Sequence, residues 1–299
     1  MTDFPSRAGA PLIDGLARLS GRYDVALCDV WGVVHNGRAS FPAACDALTR
    51  FRESGGAVVL ITNAPRPNGP IRAQLDHLHV PRSAYDAVVT SGDVTIGLIR
   101  GRGAAPLHHI GPSRDFSLFD SLVELHGEAP PRTSLEDASY VLCTGLFDDT
   151  RETPADYEDI FAAMLARKLP MICANPDLVI HRGQDLIYCA GALAERYEQM
   201  GGEAIYAGKP HAPIYHQALA RAGAIRGGAS DKSRVVAIGD AMRTDIAGAL
   251  GQGLDTLFVA SGIHRDEIGG EQAIDAAAFE QFAARHGMRP TAIIDHLVW

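Results

Sequence analysis

The stretch YDVALCDVWGVVHNG, residues 23–37, decides how the rest of the chain is read. An apolar run delivers one carboxylate, Asp29, into a turn containing Gly32 and Gly37. A short apolar run bounded by turn residues reads as a strand buried on both faces. A lone acid at such a strand's end either caps the turn or belongs to a site built outside the sheet. Where the other polar residues fall, and why Trp31 stands two positions later, separates the two.

Four further apolar runs repeat the pattern: AVVLIT (57–62), AVVT (87–90), RVVAIGD (234–240) and DTLFVA (255–260). Helical patterns lie between them, at 41–56, 70–79, 211–223 and 244–253, with Gly56 and Gly223 ending the first and third and Thr244 placed as N-cap of the last. Strands alternating with helices make βαβ units and a parallel α/β sheet. Between 93 and 204 the chain carries its own strand patterns, APLHHI (105–110), SYVLCTG (139–145) and PMICAN (170–175). It also carries a helix from Thr153, with Pro154 at the first helical position and Asp156 in the first turn, and a second helix over 191–202. The expected fold is therefore α/β: a doubly wound parallel-sheet core (1–92 and 205–299) interrupted by an inserted α/β domain (93–204).

Bulk properties narrow the function. The 299 residues suffice for two domains. Thirty-six acidic against 27 basic residues give a net charge of −9, without a dense basic run. Such a surface repels nucleic acid and anionic membranes, so neither is expected as a partner. The five cysteines lack a CxxC spacing, and several lie in apolar runs. The start, MTDFPSRAGAPLIDG, has no leader-like pattern, and no apolar run approaches a membrane span. A reducing, cytoplasmic setting is expected. The twelve histidines have no supporting Cys/His cluster, so zinc is not.

Polar residues gather at four places where strands end or helices begin: Asp29; Thr62-Asn63; Gly208-Lys209-Pro210; and Gly239-Asp240, followed by Asp245. Singly, each reads as a cap or a solvated side chain. In an open doubly wound sheet, however, ligands bind outside the carboxyl ends of strands, where strand order reverses. With the strand before Asp29 central, Asp29, Thr62 and Asp240 meet in one crevice, and Lys209 leans in from the start of its helix. Carboxylates facing a lysine suit Mg²⁺, which takes carboxylate, phosphate and water oxygens. The chemistry that needs this set is phosphoryl transfer, in which a carboxylate attacks phosphorus and forms an aspartyl-phosphate. Mg²⁺ and a lysine neutralise the equatorial oxygens, while a hydroxyl and an amide hold the phosphate.

The set DVWGVVHNG, VVLITNAPRP, YAGKP and VVAIGDAMRTDIAGA resembles the haloacid dehalogenase-like (HAD) superfamily, over residues 23–92 and 205–265. It looks most like subclass IIA, the sugar, nucleotide, p-nitrophenyl and pyridoxal phosphatases with a large α/β cap; CANPD (173–177) followed by GALAERYE resembles that cap. The resemblance implies a Mg²⁺-dependent phosphatase acting on a small phosphorylated metabolite. It makes Asp29 the nucleophile and a metal ligand, with Asp240, Asp245 and the main-chain oxygen of Trp31 as further ligands. Thr62 and Asn63 bind phosphate, and Lys209 neutralises charge. Asn175 and Asp177 fall on the cap loop that shapes substrate choice; His181 and Arg182 either serve there too or are solvated loop residues. A homodimer through the cap is also implied.

Trp31 departs from the family pattern, which places a second aspartate here to protonate the leaving group and then activate water. An indole does neither, and such assistance is typically worth about 10²–10⁴-fold. Three readings follow. His35 supplies the proton; or the substrates have good leaving groups, such as aryl or acyl phosphates; or turnover is lost and the protein senses a phosphorylated ligand. A hydrolase is expected, because Asp29, Lys209, Asp240 and Asp245 are all retained. A nucleotide-binding module is the weaker alternative, since WGVVHNG lacks a phosphate-cradling glycine fingerprint.

Overall fold

The computed structural model describes residues 10–182, 185–269 and 274–299. The chain divides into two compact units: Met1–Ile61, Leu75–Val88 and Tyr215–Trp299 form one, Thr62–Gln74 and Val89–Ile214 the other.

Among the described residues, a seven-stranded sheet runs in the order Leu12–Ile13, Ala292–Ile294, Asp255–Val259, Val235–Gly239, Val25–Cys28, Ala57–Thr62, Ala87–Thr90. Val25 lies in parallel register with Val235 on one side and Ala57 on the other. The strand that delivers Asp29 is therefore interior, as expected. Every residue of Val25–Cys28, Ala57–Thr62 and Val235–Gly239 is buried, which explains why these runs are continuously apolar rather than alternating. The edge pair Leu12–Ile13 and Ala292–Ile294 is not anticipated from sequence; with two and three residues, neither shows a period.

The connecting helices follow their expected places with two differences. Pro42–Glu53 turns Ala44, Cys45, Ala47, Leu48 and Phe51 inward at helical spacing. The helix expected to stop at Gly223 runs from Ala212 to Arg226 and ends at Gly227, where φ is +77°. Thr244 is not an N-cap: the helix opens earlier as a π turn, Met242–Ile246, before continuing as Ala247–Gly251.

In the second unit, four parallel strands run in the order Ala204–Tyr206, Met171–Cys173, Tyr140–Cys143, Leu107–Ile110. Alternate residues point to opposite faces. Val141 and Cys143 pack with Phe161, Leu193 and Tyr197, whereas Tyr140 and Leu142 pack with Ile96, Leu118 and Phe119. Helices thus cover both faces, as parallel sheets require. Ala204–Tyr206 closes this sheet, though the sequence reading placed 205 onward in the core. The antiparallel pair Val179–Arg182 and Asp185–Tyr188 was not anticipated either. Thr153 starts its helix as read, with its N–H and hydroxyl both donating to the Asp156 carboxylate at 2.7 and 2.9 Å. No helix among the described residues is long and apolar enough to cross a membrane.

Candidate active site

Asp29 is held by the sheet itself. Its N–H donates to the Ile238 carbonyl at 2.8 Å, so the ladder continues one residue past Cys28. Ile238 stands two residues before Asp240, which brings two acids to adjacent strand ends. Asp245 arrives from the π turn, where the N–H groups of Asp245 and Ile246 both reach the Ala241 carbonyl. π turns concentrate at functional sites because the widened turn re-aims a side chain. Among the described residues, Asp29, Asp240 and Asp245 are the group able to hold a metal: all are buried, with carboxylate oxygens within 4.8 Å of one another.

Main-chain donors aim two of these acids. Ile263 N–H donates to Oδ2 of Asp240 at 2.9 Å, and Ala241 N–H to Oδ2 of Asp245 at 3.1 Å. Gly32 is required on two counts: its φ is +85°, and a Cβ there would strike the Asp240 carboxylate. Three buried carboxylates this close repel one another when ionised, and burial disfavours their charged forms. An all-oxygen, carboxylate-rich donor set fits a hard divalent cation such as Mg²⁺ and answers both problems.

The loop after Asp29 folds back on itself. Gly32 N–H donates to the His35 carbonyl at 2.8 Å, and Gly37 N–H donates to His35 Nδ1 at 3.0 Å. The half-buried Trp31 indole lies over the bare α-carbon of Gly37 and edge-on to the His35 ring, centroids 5.1 Å apart. Burial of His35 lowers its pKa to about 4, so the imidazole is neutral near pH 7.

The second unit gathers Thr62, Asn63, Asp177 and Lys209. Thr62, Asn63 and Lys209 are buried. The Asn63 side chain brackets the main chain of Lys209: Lys209 N–H donates to Oδ1 at 2.7 Å, and Nδ2 donates to the Lys209 carbonyl at 3.1 Å. Nδ2 also donates to Oδ1 of Asp177 at 2.8 Å. Asn175 sets Asp177 in turn, since its Oδ1 accepts the Asp177 N–H at 3.1 Å. The Lys209–Pro210 peptide is cis. His181 and Arg182, read from sequence as loop residues, lie instead on the strand Val179–Arg182: His181 is exposed, and Arg182 pairs with Asp149 at 2.8 Å, a carboxylate that Arg114 also engages. Asp149 carried no local signal; its partners come from distant segments.

Residues 26–122 match the haloacid dehalogenase-like hydrolase family, and residues 206–298 match a HAD-hydrolase-like model. The crystal structure of a haloacid dehalogenase-like hydrolase from Brucella suis 1330 is 45% identical, with a TM-score of 0.84, covering 96% of this chain and 100% of that one. The ribonucleotide monophosphatase NagD of Escherichia coli K12 is 26% identical over 241 residues, 79% of this chain and 87% of that protein. The dihydroxyacetone phosphatase of Corynebacterium glutamicum strain R is 28% identical over 247 residues, 80% and 82% of the two chains. Full-length identity near one half, joined to strand-end acids in the family's order, places the chain among the haloacid dehalogenase-like hydrolases, in subclass IIA.

Proposed function

We propose that the chain is a Mg²⁺-dependent phosphomonoesterase that moves a phosphoryl group from a small phosphorylated metabolite to Asp29, and from there to water. The observation that carries this reading is the buried group Asp29, Asp240 and Asp245. Asp29 is the nucleophile, fixed by its ladder bond to Ile238. Asp240, Asp245, Asp29 and the Trp31 carbonyl would hold the cation, which when bound offsets charge developing on the phosphoryl oxygens. The Thr62 hydroxyl donates to the phosphate, and the Lys209 ammonium supplies fixed positive charge. Asn63 acts mainly as the bracket that orients Lys209 and Asp177, since both its amide atoms are engaged. The insertion, residues 93–204, selects the substrate through Asn175 and Asp177. Its exposed Phe116, Val123 and Leu125 support association of two copies through the same domain, and five free, buried cysteines fit a reducing, cytoplasmic setting.

The test is phosphate release from a panel of phosphorylated metabolites and p-nitrophenyl phosphate, with Mg²⁺ and with chelator. Metal-dependent release is expected. Absence of release from every compound at saturating Mg²⁺ would overturn the reading in favour of a phospho-ligand sensor, the alternative that Trp31 favours.

Asp240→Asn and Lys209→Ala separate two of these roles. Asp240→Asn removes an anionic ligand, so a loss of about 10–100-fold is expected to recover in part as Mg²⁺ is raised. Lys209→Ala removes a fixed charge that free Mg²⁺ does not replace, and a loss of about 10²-fold is expected to persist. Equal recovery of both variants in a Mg²⁺ titration would contradict the assignment.

A further inference from the structure

The loop after strand Asp255–Val259 reaches the acid cluster twice. Ile263 N–H holds Oδ2 of Asp240 at 2.9 Å, while the adjacent Gly262 must stay bare because a Cβ there would strike the same carboxylate. One residue on, Nε2 of His264 accepts the N–H of Met242, the first residue of the π turn that carries Asp245, at 3.4 Å. Because Nε2 accepts, the ring proton sits on Nδ1, which lies 2.7 Å from Oε1 of Glu267. Glu267 is itself held at 3.0 Å by Arg285, from helix Ala276–His286. The imidazole is wedged against Phe282, with centroids 4.8 Å apart. A chain of contacts therefore runs from Arg285 through Glu267 and His264 to the turn that presents Asp245.

We infer that His264 is a positioning residue for the metal-holding acids. Its ring fixes the start of the π turn, next in the chain to the Ile263 N–H that aims Asp240. Met242 N–H has no carbonyl within its own helix to receive it, as at every helix start, so a side-chain acceptor there sets where the turn begins. Outer-shell partners of this kind change metal affinity by about 10–100-fold when removed, without touching the metal. Glu267 keeps the correct ring nitrogen turned toward Met242, as a carboxylate does for a metal-binding histidine. The inference rests on the metal reading given above.

The experiment is calorimetric titration of the full chain with Mg²⁺ alone, beside the metal-free melting temperature and the Mg²⁺ concentration giving half-maximal turnover. His264→Phe keeps the ring against Phe282 and removes both nitrogens. It is expected to weaken Mg²⁺ binding about 10-fold and to raise the half-saturating Mg²⁺ equally, with turnover at saturating Mg²⁺ near wild type. His264→Gln places an amide oxygen near the Nε2 position and is expected to restore affinity to within about 3-fold. A merely structural role would lower the melting temperature of both variants without this split. Should His264→Phe fail to fold, Glu267→Ala serves instead, since it frees the ring to turn and is expected to weaken binding about 3-fold. Wild-type affinity in His264→Phe, or in Glu267→Ala where that is the variant read, overturns the inference. So does a His264→Gln protein as weak as His264→Phe. A wild type that binds no Mg²⁺ overturns the metal reading itself and this inference with it.

Discussion

Asp29→Asn is expected to lose phosphate release by on the order of 10³-fold or more while remaining folded. The amide matches the carboxylate in shape but is far less nucleophilic, and it keeps the main-chain bond to Ile238 that fixes the strand end. Stability should respond in an unusual direction. Asp29 is one of three buried acids within 4.8 Å, so neutralising it removes like-charge repulsion from the metal-free protein. The melting temperature in chelator should therefore hold or rise, whereas the increment produced by Mg²⁺ should shrink, because stabilisation by a ligand follows its affinity. Phosphate release and melting curves, each with and without Mg²⁺, check both halves. Retention of most activity would remove Asp29 from the nucleophile's place. A large loss of metal-free stability would instead mean that the acid is chiefly structural.

The fold was legible wherever a residue's role is fixed by its own segment. Apolar runs announced the strands that deliver Asp29, Thr62 and Asp240, because a strand buried on both faces leaves no room for alternation. The Thr153 helix start was legible for the same reason, since its cap lies within four residues. What sequence missed depends on distant partners. Asn63 reads as a phosphate ligand, yet its amide is committed to Asp177 and Lys209, which lie 114 and 146 residues away. The π turn was hidden because its pattern differs from an α-helix only in where Ala241 receives its bonds. Leu12–Ile13 and Ala292–Ile294 were invisible for lack of length. Tertiary pairing, not local preference, makes them strands.

The remaining question is what a half-buried indole does two residues after the nucleophile. Expelling an alkoxide from a sugar or glycerol phosphate needs a proton, whereas an aryl phosphate leaves as a stabilised phenolate. Without an acid at position 31, the wild type should favour aryl over alkyl phosphates by about 10²–10⁴-fold beyond an enzyme that has one. His35 is poorly suited to close that gap. Its Nδ1 already accepts the Gly37 N–H, its burial keeps the ring neutral with a pKa of about 4, and the Trp31 indole packs against it. A neutral imidazole has only its Nε2 proton to give, and it is a weak acid in that form. His35→Ala is therefore expected to lower alkyl and aryl rates together, through the turn it closes, and to leave their ratio unchanged. Trp31→Asp should raise the alkyl-to-aryl ratio, with about 10²-fold as the ceiling for an acid not held by surrounding contacts. The substitution also uncovers Gly37 and adds a carboxylate near three others, which costs packing and raises the new acid's pKa. The second effect helps, since a proton donor must be protonated at the working pH, but the first lowers every rate. Measuring the ratio cancels the common loss. A wild type indifferent to the leaving group, or a ratio that falls selectively in His35→Ala, would return the proton to His35 and make Trp31 a bystander.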